Sequence, residues 1–307
     1  MYKTNLVLLS HCHVPHGSSE EDFENTYKNC ARPFITALYR WPKVPACVHY
    51  SGVFLEWLNA RHQAFIALLG ELVNRKQLEM LGGGFYEPAF TLIPQADRIT
   101  QIELQTTLMR KLFGKRPRGC LLPSFLWDPS LVGALNTCGM EYVFLGADQF
   151  RATGLSPSSL ETQVLTEDQG RLITVLPVSD RCELNSLFSE THSFVRSLSR
   201  PVSNGSDRLL CFFPERAFSG NEAGSAREKL LDAFFCELSK DNESIRLNLA
   251  GKLVKGSADA VADRRRVYFP NSAQPDLMLH ALEAEQRRAW EEGFLRDKKN
   301  LKKSPVF

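Results

Sequence analysis

The chain has 307 residues, with 37 Lys+Arg against 35 Asp+Glu and a net charge of +2. So even a balance argues against generic nucleic-acid binding, which needs a basic excess. At 43% hydrophobic and 23% charged residues, the composition excludes long disorder, and the length can bury a full-sized core.

The first apolar run, Asn5–Ser10, is short and leads into histidines. It reads as a strand and not as a signal peptide. No run reaches the roughly 18 apolar residues of a membrane helix, so no membrane partner is expected. Eight cysteines lie singly, without a CxxC pair. They read as buried, reduced thiols, and the expected location is cytoplasmic.

Further strands are expected at Ala46–Tyr50, Leu78–Leu81, Gly119–Leu122, Tyr142–Leu145, Leu172–Leu176 and Leu209–Phe213. Between them lie helical patterns. Phe54, Leu55, Leu58, Phe65, Leu68, Leu69 and Leu72 recur at helical spacing, as do Ile99, Ile102, Leu104, Leu108 and Leu112. Asp128 and Pro129 read as the start of another helix. Alternating apolar strands and helices predict an α/β fold with a parallel sheet. About seven such units precede residue 215, enough to close a barrel; a doubly wound open sheet is the competing architecture. Ser156–Leu165, Ser199–Asp207 and Ala217–Ser225 read as loops. Arg266–Phe269 reads as a last strand and Asp276–Arg296 as a helix, followed by a basic tail.

In parallel sheets, chemistry gathers beyond the carboxyl ends of the strands. The first strand ends in Ser10-His11-Cys12-His13, and the alternation puts both imidazoles on one side. They read as substrate contacts or as hydrogen-bonded structural histidines. With His49 they offer three nitrogens to a metal, but no carboxylate sits at a usual zinc spacing beside them. No cofactor and no resident metal are therefore expected. Gly82-Gly83-Gly84-Phe85-Tyr86-Glu87 follows the third strand. An acid beside two aromatics suits sugar binding, by stacking and by accepting hydroxyl hydrogen bonds; capping of a local turn is the plainer reading. Trp127 reads either as a stacking platform on the rim or as a packing residue. Ser124 lacks the GxSxG context of a hydrolase nucleophile. Glu215, past the last apolar strand, is placed to act as a general acid or lies as a loop surface charge.

In this order, these segments resemble the N-terminal catalytic domain of glycoside hydrolase family 57, above all its 4-α-glucanotransferase and α-amylase branch. His11-Cys12-His13-Val14-Pro15 is similar to the family's His-x-His-Gln-Pro motif, with Val14 in place of Gln. Val48–Trp57 resembles its second strand and following helix. The most specific stretch is Gly84-Phe85-Tyr86-Glu87-Pro88, then Ile93-Pro94 and Asp97–Ile102. The likeness covers about 240 residues and implies a (β/α)7 barrel acting on α-1,4-glucans by a retaining mechanism. The family's C-terminal β-rich domain is expected to be absent. Residues 1–244 would form the barrel, and 245–307 a helical extension packed on it.

The resemblance also exposes departures. Retaining glycosidases need two carboxylates about 5–5.5 Å apart. The family's nucleophile Glu stands three residues before a Trp; here the Trp is Trp127 and the position holds Ser124. The family's acid/base Asp aligns with Glu215, and the His two residues before it with Phe213. An Asp pair after the fifth strand is replaced by Gly146-Ala147, beside Asp148. The expected function is binding of α-glucan or maltooligosaccharide through His11, His13, Glu87, Trp127 and Asp148, with transfer and hydrolysis weak or lost. Three rivals stand: an active glucanotransferase or amylase using Glu215 as acid, a metal-dependent sugar hydrolase or deacetylase using His11, His13 and His49, and a non-catalytic scaffold for a partner. Oligomeric state is left open.

Overall fold

The computed structural model describes residues 3–155, 161–179, 191–198, 207–214, 224–240, 243–255 and 265–272. All seven expected strands are present: β1 Thr4–Cys12, β2 Ala46–Tyr50, β3 Leu78–Met80, β4 Gly119–Leu121, β5 Tyr142–Gly146, β7 Arg171–Val178 and β8 Arg208–Phe212. They run parallel in the order β3-β2-β1-β8-β7-β5-β4. Gly82, just past β3, pairs in parallel with Cys120 of β4. Its N–H donates to Gly119 O at 2.8 Å, and its carbonyl accepts from Leu121 N–H at 2.9 Å. That bridge joins the two ends of the series, so the sheet is a seven-stranded barrel and the open-sheet alternative is excluded.

Two further strands carry no clear signal in the sequence. β6, Val164–Asp168, folds back antiparallel on β7 through a turn in which Gln169 and Gly170 both hold positive φ. Its first two residues fall in a segment whose composition reads as a loop. β9, Ile245–Leu247, pairs with the lower half of β1, Thr4 to Leu6, while β2 pairs with the upper half, Leu9 to Cys12. Residues 245–255 thus belong to the barrel itself and not to an appended extension. The stretch from 266 supplies one bridge, Leu165 to Arg266. The helix expected at Asp276–Arg296 and the basic tail lie outside the described residues.

The helices are α1 Glu20–Thr26, α2 Arg32–Arg40, α3 Gly52–Arg61, α4 Gln63–Asn74, α5 Gln95–Phe113, α6 Leu131–Thr137, α7 Ala147–Ala152, α8 Thr191–Leu198, α9 Gly224–Ser239 and α10 Ala250–Val254. A π-helical turn, Tyr27–Ala31, joins α1 to α2. Local chemistry sets their ends. Ser19 and Asp22 form a reciprocal capping box on α1. α5 begins after Pro94 and ends at Gly114 in the left-handed region, φ 68°, with Arg110 and Lys111 in its last turn. The periodic run Phe54–Leu72 is two helices, broken at His62. Among the described residues no helix is long and apolar enough to cross a membrane, and the seven described cysteines are free thiols.

Strand alternation divides the apolar residues between two sides. Val7 and Leu9 of β1, Cys47 of β2, Phe144 of β5 and Cys211 of β8 fill the barrel interior together with Ala250 and Val254 of α10. Leu6, Leu8, Val48 and Phe212 point out to the helices. Odd-numbered positions of β1 and β2 therefore face inward, and this parity sends His11, His13 and His49 to the mouth of the barrel.

Candidate functional site

His11 and His49 sit in register on β1 and β2, with rings stacked at 5.4 Å and 19°. The loop after β3 brings Glu87 against them. This loop is tied down on two sides: Phe85 N–H donates to Gln101 O at 3.2 Å, and Phe85 O accepts from Val53 N–H at 3.3 Å. Tyr86 N–H donates to the Gln101 side chain at 2.9 Å. Two glycines make the arrangement possible. A Cβ on Gly52 would lie 2.2 Å from the Phe85 ring, and one on Gly83 would lie 2.4 Å from His49 Cε1. Glu87 itself holds φ 50°, a conformation that L-residues resist. The local structure accepts backbone strain to place this carboxylate, whose side chain is only 3% exposed.

Glu87 accepts from His49 Nε2 through Oε1. It lies 3.1 Å from His11 Nε2 through Oε2 and 3.8 Å from His13 Nδ1. The other nitrogen of His49 meets Leu81 O at 3.0 Å. A carbonyl and a carboxylate have no proton to give, so both nitrogens of His49 donate and the ring is an imidazolium. Burial is the largest influence and opposes charge on His49, but the Glu87 carboxylate together with the backbone of Leu81 and Gly82 outweighs it and raises the pKa. Burial likewise opposes charge on Glu87, and the two histidines override it, holding the carboxyl well below the usual range. His13 goes the other way: burial lowers its pKa more than Glu87 raises it, and its Nδ1 is buried without a hydrogen bond. The cluster is thus an anchored ion pair beside an unsatisfied imidazole nitrogen, a setting for a ligand hydroxyl.

The pair makes stability pH-dependent with a defined sign. The lowered Glu87 pKa stabilises above the ordinary carboxyl value of about 4.3 and is lost as pH falls toward its depressed value. The raised His49 pKa stabilises below about 6.5 and is lost as pH rises through its elevated value. The melting-temperature difference between wild type and Glu87→Gln is therefore expected to be largest between about pH 4.5 and 6.5 and to shrink on both sides. Calorimetric melts across pH check this.

The facing wall is different. Ser124 and Phe125 both hold left-handed backbone, φ 49° and 55°, and the Gln149 amide donates to Phe125 O. The Phe125 ring lies 6.2 Å from Phe213 and 3.6 Å from where a Cβ on Gly146 would stand. Ser124 is half-buried. Among the described residues this wall sets the Phe125 and Phe213 rings beside Ser124 and Gly146. Glu215 lies outside the described residues.

Two expected contacts are not gathered with the cluster. Trp127 is 0% exposed and packs with Leu122, Leu131 and Phe150 beneath the rim; its backbone is pinned by Ser272 from both sides. The indole presents no face to a sugar, so in this structure it is the packing residue. Asp148, on the first turn of α7, is exposed and paired with Arg151. Beside Glu87 in the chain stands an accessible aromatic, Tyr86, 44% exposed, with His16 edge-on at 5.2 Å. Its adjacency to Glu87 is the signal that the sequence carries for it.

Among the described residues, His11, His49 and Glu87 each offer a ligand atom within 4.8 Å of the others, so there they, and not the three histidines, are the group that could hold a metal. Here the direct His49–Glu87 hydrogen bond engages the atoms that a cation would need.

The model of glycosyl hydrolase family 57 matches residues 4–189. The chain belongs to glycosyl hydrolase family 57. This family 57 chain is 30% identical over 295 residues to the 4-alpha-glucanotransferase of Thermococcus litoralis, covering 95% of this chain and 44% of that protein. To the alpha-amylase of Pyrococcus furiosus it is 31% identical over 294 residues, covering 94% and 44%. The crystal structure of the Thermococcus litoralis 4-alpha-glucanotransferase superposes with a TM-score of 0.83 at 29% identity, covering 98% of this chain and 47% of that one. The family 57 chain thus spans less than half the length of these relatives.

Proposed function

We propose that the chain binds α-1,4-glucan or maltooligosaccharide at the barrel mouth, and that transfer and hydrolysis are weak or lost. The observation that carries this reading is the asymmetry of the mouth. One wall is an anchored acid with three imidazoles, suited to gripping hydroxyls. The other, at the positions the resemblance assigns to the nucleophile, to the Asp pair and to the histidine near the acid/base, carries Ser124, Gly146 and Phe213. A serine hydroxyl supplies no negative charge to an oxocarbenium-like transition state. The 4-alpha-glucanotransferase and alpha-amylase relatives support the substrate class. Glu215 is the remaining acid, His11, His13 and Glu87 hold the sugar hydroxyls, and Tyr86 is the platform for a sugar ring.

Isothermal titration with maltooligosaccharides tests binding; no heat with any α-glucan removes the reading. Activity is tested by Ser124→Glu. The variant is expected to turn over maltotetraose where the wild type does not. Wild-type turnover abolished by Glu215→Gln would instead make the chain an active glucan enzyme. Tyr86→Ala is expected to weaken maltooligosaccharide binding by about 3- to 10-fold, the worth of one aromatic contact. The residue is exposed, so its melting temperature should hardly move.

A further inference from the structure

The end of the barrel opposite the histidines carries a cavity of about 830 Å³, within the range of small-molecule sites. The segments leading into β2, β3 and β4 surround it, together with α10, which closes the barrel base. Its floor is apolar, built from Val73, Leu78, Met80 and Phe113. Its rim is cationic. Lys43 precedes β2, Arg75 and Lys76 precede β3, and Lys115, Arg116 and Arg118 precede β4. Lys252 and Lys255 come from α10 and its end.

The carboxylates nearby do not balance this charge. Arg75 pairs with Glu71 at 3.5 Å, Arg116 with Glu103 at 3.7 Å, and Arg118 with Glu141. The wall itself contributes Glu79, and that group is engaged: Tyr142 Oη donates to it at 2.7 Å and Gly251 N–H at 2.9 Å. Leaving Lys43 aside, seven cationic side chains thus meet four carboxylates among the described residues, an excess of three in a chain whose whole net charge is +2. Like charges held around one concave, partly apolar surface repel each other, and a multivalent anion converts that repulsion into attraction.

We infer that this cavity binds a small anion that carries two or more phosphoryl groups together with a flat aromatic ring, of the nucleoside di- or triphosphate class. The rim meets the phosphoryl oxygens with lysine point charges and arginine forks. The floor formed by Met80 and Phe113 takes the ring. An α-glucan is uncharged, so this site stands independently of the reading given for the barrel mouth.

The test is calorimetric titration of the full chain with ATP and with inorganic tripolyphosphate, at low and at physiological ionic strength. Both are expected to bind, ATP more tightly, and both to weaken with salt. The double variant Lys252→Glu/Lys255→Glu should weaken both by about tenfold or more. Lys76 holds φ 61°, so Lys76→Asn removes a charge at a conformation that Asn tolerates; it should weaken both by about threefold, and it decides the matter if the double variant does not fold. Lys229→Glu, on α9 outside the cavity, should change nothing. Tripolyphosphate binding as tightly as ATP overturns the ring assignment. No heat from either anion, or binding unmoved by the cavity variants, overturns the whole inference. So does single-stranded RNA binding more tightly than ATP.

Discussion

Glu87→Ala is expected to abolish measurable maltooligosaccharide binding and to destabilise the fold by about 3 kcal/mol. Removing one partner of a buried charge pair costs about 3–5 kcal/mol. The lower end applies because the 1%-exposed His49 can shed its proton, although its Nε2 then faces a void. The strained φ of residue 87 adds nothing to the loss, since alanine bears it no worse. At about 2–4 °C per kcal/mol, a melt should fall by roughly 6–12 °C. Binding should suffer separately, because on the proposed function the carboxylate accepts sugar hydroxyls, and it also holds His11 and lies beside His13. Glu87→Gln separates the two effects. It keeps the volume and should recover much of the stability, yet lose about tenfold in affinity with the charge-assisted bonds. Titration and calorimetry read both quantities; full glucan affinity in a folded Glu87→Ala protein would sink the site assignment.

Trp127→Ala should have the largest effect on stability, about 3–5 kcal/mol, and little on affinity per folded molecule. The ring is fully buried, and its Nε1 has no hydrogen-bond partner. Trp127→Phe therefore loses volume but no hydrogen bond and should cost about 1–2 kcal/mol. A stacking platform would behave in the opposite way. Destabilisation under about 1 kcal/mol with a tenfold loss of glucan affinity would return this residue to the binding surface.

These two residues show what a sequence can and cannot reveal. The seven barrel strands are legible because strands covered on both faces read as unbroken apolar runs. Alternation along β1 is legible too, and it puts His11 and His13 on one side from the sequence alone; that His49 joins them is set by the β1–β2 register. β9 is not, since three residues carry too little periodicity and its pairing with Thr4–Leu6 is set from about 240 positions away. β6 is hidden for a related reason: it follows a stretch rich in Ser and Pro, and only its hairpin partner reveals it. Trp127 and Asp148 both follow strands at the mouth end, and position in the chain does not say which way a side chain turns. Trp127 is drawn down by Ser272 and the α6 core. Asp148 turns out to solvent on a short helix. Glu87 is legible as an acid near aromatics, but its left-handed backbone and its grip on His49 come from the Gly83 and Gly52 contacts, which are tertiary.

The late pairing of β9 with the lower half of β1, beyond the reach of β2, bears on biosynthesis. β1 lacks one lateral neighbour along Thr4–Leu6 until residues 245–247 emerge from the ribosome, and the base stays open until Ala250 and Val254 enter the interior. Nascent chains shorter than this must hold an unsealed, strand-edged intermediate, the kind of species that aggregates. Such chains would depend on chaperones through most of translation, and final closure would come late and all at once.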